Sequence, residues 1–203
     1  MASIAHIQLL SPRQMIIDEG ESAESLFNIT GGAVKLYKLL RDGRRQITGF
    51  LFQGDFLGIA LNQEYANFSE VVSDVTLCRF PRVRFEALFD EFPKFEKQLL
   101  EVASNELAQA QDQMLLLGRK MALEKVASFL LYVSERARQR GDAPSPISQP
   151  ISRADIADYL GLTMETVSRT FTNLKSSSAI RLLLGNMVAL FDRKTLQNLS
   201  DGS

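Results

Sequence analysis

The stretch SRADIADYLGLTMETVSRTFTNLK, from Ser152 to Lys175, decides how the whole chain is read. It carries the marks of two short helices joined by a tight turn. Ser152 is suited to cap the first helix, Asp155 favours its positive end, and Ile156, Ala157 and Leu160 recur at the spacing of one buried face. Gly161 supplies the left-handed residue that stops a helix, Leu162 follows as its hydrophobic plug, and Thr163 is a good N-cap for the second helix. At about 100° per residue, Val167, Phe171 and Leu174 fall on one side of that second helix, and Glu165, Ser168, Arg169 and Thr172 on the other. A helix-turn-helix needs a small residue at the helix crossing, a turn glycine and a core anchor, and Ala157, Gly161 and Val167 fill those places in order.

The polar side has the chemistry of a base reader. The Arg169 fork matches guanine O6 and N7, Glu165 can accept from cytosine N4, and Ser168 can serve either kind of edge. A charged helix face standing alone is usually just solvated; the motif around this one gives it the reader role.

Length and composition set outer bounds. The 203 residues, 45% of them hydrophobic, suffice for one large domain or two small ones of ordinary globular type. No apolar run approaches a membrane span, and MASIAHIQLL lacks a basic region followed by an apolar core, so the sequence predicts a cytoplasmic protein with no membrane partner. The net charge of -1 hides an asymmetry: from Gly118 onward 12 Lys and Arg face 8 Asp and Glu, against 11 and 16 before it. That split suits a basic reader joined to an acidic sensor.

The sequence ISRADIADYLGLTMETVSRTFTNLK resembles the DNA-binding helices of the CRP/FNR superfamily of bacterial transcription regulators, and E-x-x-S-R resembles the reading pattern of its FNR and FixK branch. RQITGFLFQGDFLGI resembles that branch's sensor domain and AQDQMLLLGRKMALEKVASFL its dimer helix, so the likeness covers nearly all of the chain. The resemblance implies an α+β chain: an N-terminal β-roll of the cyclic-nucleotide-binding jelly-roll type over 1–92, a dimerisation helix over 93–117, and a C-terminal winged helix-turn-helix over 118–203. It further implies a homodimer on a TTGAT-N4-ATCAA-like palindrome in double-stranded DNA, with RNA polymerase as a second partner.

The residues fit that plan. QMII, SLFNI, AVKLYKL, QITGFLF, EVV and TLCRF are short apolar runs separated or ended by Gly20, Gly32, Gly43, Gly54 and Gly58, a pattern of short strands that marks a sandwich or barrel. Nucleotide-binding members of the superfamily hold their ligand with a Gly-Glu pair and an Arg-Ser or Arg-Thr pair. Here Gly58 is followed by Ile59 and Ala60, and the second region reads Asn67, Phe68, Ser69, Glu70, with a carboxylate where a phosphodiester wants a cation. A cyclic nucleotide is therefore not expected. Oxygen-sensing members hold an iron-sulfur cluster on four cysteines. Cys78 matches the internal ligand but is the chain's single cysteine, which favours a regulator with no cofactor. The alternatives left open are a protein gated by haem, a nucleotide or another small molecule, and an iron-sulfur homologue whose cysteine run lies upstream. Cys78 is then either a small strand residue or a redox-sensing thiol. His6 has no partners at metal spacing, and no catalytic set is legible, so an enzyme is not expected.

Asp42, Gly43 and Arg44 form a charged hairpin turn, and the resemblance places a contact with the polymerase sigma subunit there, although the family's acidic residue is replaced by Arg44. Pro93 opens a helix whose seam is Leu99, Ala103, Leu107, Ala110, Met114 and Leu117, a stripe suited to pairing with a second copy. Oxygen-gated relatives carry an acidic residue where Ala110 stands, so the predicted dimer forms without an effector. Residues 119–140 make a further amphipathic helix, and IRLLLGNMVALF a hairpin through Gly185 and Asn186. Relatives usually have glycine where Ser178 stands, which predicts a differently shaped turn. Ser152, Arg153, Thr163, Thr172, Lys175 and Arg181 are placed to touch phosphates, contacts that orient without specifying.

Overall fold

The computed structural model describes residues 6–59, 63–91, 93–148, 150–184 and 187–202, the side chains of 88–96, 98, 99 and 148 excepted. The chain forms two compact units, Met1–Gln111 and Asp112–Ser203.

The first unit holds strands β1 (His6–Leu10), β2 (Met15–Ile17), β3 (Ser25–Gly31), β4 (Ala33–Leu39), β5 (Arg45–Phe52), β6 (Phe56–Leu57), β7 (Phe68–Val71) and β8 (Val75–Pro81), then helix α1 (Arg82–Glu91). They make two antiparallel sheets in the orders β1-β8-β3-β6 and β2-β7-β4-β5. Alternation decides what is inside: Phe27, Ile29, Leu57, Val75 and Leu77 of one sheet and Ile17, Val34, Leu51 and Val71 of the other form one buried cluster. Each of the six predicted runs falls on a strand; β1, β6 and α1 are additions. Gly32, between β3 and β4, has φ +85°, and a Cβ there would lie 2.1 Å from the Asp74 carbonyl oxygen, so this turn admits no side chain.

Helix α2 (Pro93–Arg119) matches the helix expected over 93–117, but the boundary between the compact units falls within it, so its last turns belong with the second unit. That unit continues with α3 (Ala122–Gln139), β9 (Ile147–Ser148), α4 (Arg153–Leu160), α5 (Met164–Ser176), β10 (Ile180–Leu183), β11 (Met187–Leu190) and α6 (Arg193–Ser200). Helix α3 buries Val126, Phe129, Leu130 and Val133 and packs on α5 and α6. Its Lys125 ammonium, almost wholly buried, donates to the Leu160 carbonyl at 3.0 Å, and Lys120 donates to the Ser200 carbonyl at 2.7 Å. Each cation thus satisfies an orphan carbonyl at the negative end of a helix, α4 and α6 respectively. Strand β11 pairs with both β10 and β9, which gives the wing; its predicted turn residues Gly185 and Asn186 lie outside the described residues.

The turn at Ser178 corrects one expectation. Ser178 has φ +59°, the left-handed conformation a glycine would take, and Ala179 N–H donates to the Leu174 carbonyl at 3.0 Å. The helix ends in the glycine-type manner with a serine bearing the strain. Ser178→Gly is therefore expected to raise stability by about 0.5 to 1 kcal/mol, read as a higher midpoint in thermal unfolding.

Candidate nucleic-acid interface

The two helices of the Ser152–Lys175 stretch are set by their ends. The Ser152 hydroxyl accepts from the Asp155 amide at 3.0 Å, the Thr163 hydroxyl accepts from the Thr166 amide at 3.1 Å, and Gly161 closes α4 at φ 62°. Leu162 N–H donates to the Ala157 carbonyl at 3.0 Å, fixing the angle at which α5 leaves the turn. Ile156, Ala157 and Leu160 of α4 and Val167, Phe171 and Leu174 of α5 are buried as their spacing predicts. Losing those six side chains to solvent would cost each helix its place, since helices this short are not stable alone.

The opposite face of α5 is open. The side chains of Glu165 and Arg169 are 71% and 78% exposed and pair with each other, Arg169 Nη2 to Glu165 Oε1 at 2.6 Å. An exposed i,i+4 pair of this kind is worth about 0.3 to 0.5 kcal/mol, far less than a bidentate contact to a base. It holds the fork extended without consuming it. The Ser168 hydroxyl donates to the Met164 carbonyl at 2.9 Å, and Thr172 to the Ser168 carbonyl at 3.1 Å, so both keep oxygen lone pairs free to accept. Sequence reasoning also left out Met164, the first residue of α5, whose apolar side chain stands exposed.

The residues expected to touch phosphates are placed unequally. Lys175 is exposed in the last turn of α5. Ser152 and Thr163 have hydroxyls occupied as caps, Ser152 also donating to Asp155 Oδ2 at 2.7 Å. Arg153 is half-buried, with Cζ 3.3 Å from the Phe171 ring centroid, and burial pushes its guanidinium down from the usual arginine value. Arg181, exposed on β10, lies 4.0 Å over the Phe191 ring.

On α2, Leu107 and Met114 are 63% and 71% exposed, and Ala103 and Ala110 are open as well. Leu99 falls in the helix, but its side chain is outside those described. Leu117 is half-buried, with Cδ2 close to Gly161. Leu100, which the sequence reading did not single out, is 68% exposed and spaced by heptads from Leu107 and Met114.

In the first unit, the Asp42-Gly43-Arg44 turn is exposed and internally tied, Arg44 Nη2 to Asp42 Oδ2 at 2.8 Å. The hydrogen bond from the Arg44 side chain holds the Asp42 carboxyl below the usual carboxylate range. Glu70, the carboxylate noted where a phosphodiester wants a cation, is itself paired with cations. It accepts from buried Lys35 at 2.8 Å, with Arg45 at 3.8 Å. The room beside Gly58 is taken: a Cβ there would lie 3.1 Å from the Tyr65 ring and 2.9 Å from the Ser25 carbonyl, and Tyr65 is locked by its hydroxyl donating to that carbonyl at 2.6 Å. Ala60 lies outside the described residues. Cys78 is half-buried on β8, and His6 is exposed on β1. Among the described residues no cluster of His, Cys, Asp and Glu could hold a metal ion, and no helix is long and apolar enough to cross a membrane.

Comparison with known proteins converges on one family. Residues 7–92 match the cyclic nucleotide-binding domain and residues 124–199 the Crp-like helix-turn-helix domain. The nitrogen fixation regulation protein FixK of Bradyrhizobium diazoefficiens is 43% identical over 94% of this chain and 80% of its own length. The transcriptional activatory protein AadR of Rhodopseudomonas palustris is 42% identical over 93% and 79%. The solved structure of FixK2 from Bradyrhizobium japonicum superposes with a TM-score of 0.90 at 36% identity, covering 97% of each chain.

Proposed function

The chain belongs to the CRP/FNR family of DNA-binding transcription regulators, and from that premise we propose that it acts as a homodimer reading a TTGAT-N4-ATCAA-like palindrome without a cyclic nucleotide or an iron-sulfur cluster of its own. The observation that carries this reading is the face of α5 on which Glu165, Ser168 and Arg169 project together, opposite buried Val167, Phe171 and Leu174. Two such helices related by a dimer axis enter successive major grooves about 34 Å apart. Arg169 takes the guanine of each half-site, Glu165 accepts from a cytosine amine, and Ser168 bonds a neighbouring edge. Lys175, Thr172 and Arg181 hold the backbone, with Arg153 and the capped ends of α4 and α5 beside them.

The open stripe of α2 supports dimerisation. A charged surface would leave Leu100, Leu107 and Met114 in water; a second copy covers them, and Ala110 brings no charge into that seam. Independence from a cyclic nucleotide is supported by Tyr65, which lies close beside Gly58, and by the pairing of Lys35 and Arg45 with Glu70, which occupies the cations there. The Asp42-Gly43-Arg44 turn is the surface offered to RNA polymerase, and the work is done in the cytoplasm by binding rather than by catalysis.

The test is a titration of the purified protein against a TTGAT-N4-ATCAA duplex with no added ligand. Binding at nanomolar concentration that fails on a scrambled duplex supports the reading; binding only after haem or a nucleotide is added overturns the effector-free part of it. Lys175→Ala is expected to weaken binding to both duplexes alike and to flatten the dependence of log affinity on log salt by about one unit for each phosphate that the lysine neutralises.

A further inference from the structure

Four of the eight arginines of the second unit are tied to carboxylates: Arg138, Arg140, Arg169 and Arg193 lie 2.5 to 3.9 Å from one. Arg153 and Arg181 are arranged differently. Their Cζ atoms stand 3.3 and 4.0 Å from the ring centroids of Phe171 and Phe191, and among the described residues no carboxylate or hydrogen-bond acceptor holds either guanidinium. A guanidinium lying on a ring uses its face and keeps its N–H fork, which lies in the plane, for something else.

We propose that Phe171 and Phe191 are positioning residues for two phosphate clamps, each ring holding an arginine flat so that its fork is aimed at the DNA backbone before DNA arrives. The inference rests on the reading of Arg153 and Arg181 as phosphate contacts and deepens it. An unsupported arginine at the surface must surrender its rotamer freedom when it grips a phosphate, and a stacked one has surrendered part of it already. Geometry places the clamps usefully. Arg153 is the first residue of α4, and its ring Phe171 is one turn from Lys175 on α5. Arg181 is on the outer strand of the wing, and Phe191 is pinned by its own N–H donating to the Ala179 carbonyl at 3.0 Å. Packing does not account for Phe191: it is 59% exposed, a large aromatic surface left in water beside a cation.

Phe191 can be changed without opening the core, so the test centres on it. Affinity for the TTGAT-N4-ATCAA duplex and for an unrelated duplex is measured across a salt series for Phe191→Leu, Phe191→Trp, Arg181→Ala and Arg181→Lys, with thermal unfolding of each variant. Phe191→Leu is expected to weaken both duplexes by about threefold to tenfold with the salt slope unchanged, because the charge remains while its aim is lost. Arg181→Lys behaves alike, for an ammonium has no plane to stack; Phe191→Trp restores binding. Arg181→Ala weakens both duplexes and also lowers the slope. If Arg181→Ala matters and Phe191→Leu does not, the platform is refuted and the phosphate contact stands. Should Arg181→Ala leave the salt slope untouched, the phosphate contact itself is refuted. A Phe191→Leu defect that tracks a lower unfolding midpoint, or that tryptophan does not repair, makes the ring merely structural. Arg153→Lys extends the test to the other clamp while leaving buried Phe171 in place, and wild-type binding by that variant overturns its half of the proposal.

Discussion

Arg169→Ala is expected to erase discrimination at the guanine of each half-site at a cost of about 1 to 3 kcal/mol per contact, while binding to random DNA changes little. The size of the effect depends on what the side chain gives up and what it gains. In the free protein Arg169 leans on Glu165 at 2.6 Å, both groups well exposed, a pairing worth about 0.3 to 0.5 kcal/mol. Two parallel hydrogen bonds to guanine O6 and N7 outweigh that several-fold. Alanine removes those bonds and leaves nothing in their place at the guanine. Binding titrations on the palindrome and on a duplex with the guanines replaced check this. The wild type separates the two and the variant does not; an equal loss on random DNA would contradict the assignment.

Leu107→Glu is expected to convert the protein to a monomer in light scattering at micromolar concentration and to lower affinity for the palindrome by about a hundredfold or more, the avidity that a second linked reader supplies. Leu107 is 63% exposed in the isolated chain, so the substitution has little of its own core to disturb, and the unfolding midpoint of the monomer should stay near that expected for a surface change. Across a seam, two facing glutamates would be desolvated against each other and against Leu100 and Met114 of both copies. A variant that stays dimeric would move the interface away from α2.

The parts legible in the sequence were those whose causes lie within a turn or two. Ser152, Gly161 and Thr163 act on neighbours three to five residues away, so their caps were readable as written. Faces set by helical spacing, such as Val167, Phe171 and Leu174, were readable for the same reason. Strands β6 and β9 were not, because each is two residues long and exists only through its pairing with β3 or β11. The exposure of Leu100 was not singled out, since 3.6 residues per turn lets two neighbouring stripes look alike over a short stretch. The ion pair of Glu70 with Lys35 was not readable because Lys35 comes from another strand, and the approach of Arg153 and Arg181 to phenylalanine rings was hidden because each ring belongs to another part of the chain. In each case composition named the groups and only the chain's path joined them.

The pairing of Arg169 with Glu165 bears on how a target is found. A fork with no fallback would cling to whatever guanine it met, or stand stripped of partners at every wrong step. Here each misread base pair can hand the guanidinium back to its own helix. If Arg169 reads guanine as proposed, travel along the duplex would proceed over a nearly level landscape, with a deep well only where both half-sites release the two forks together.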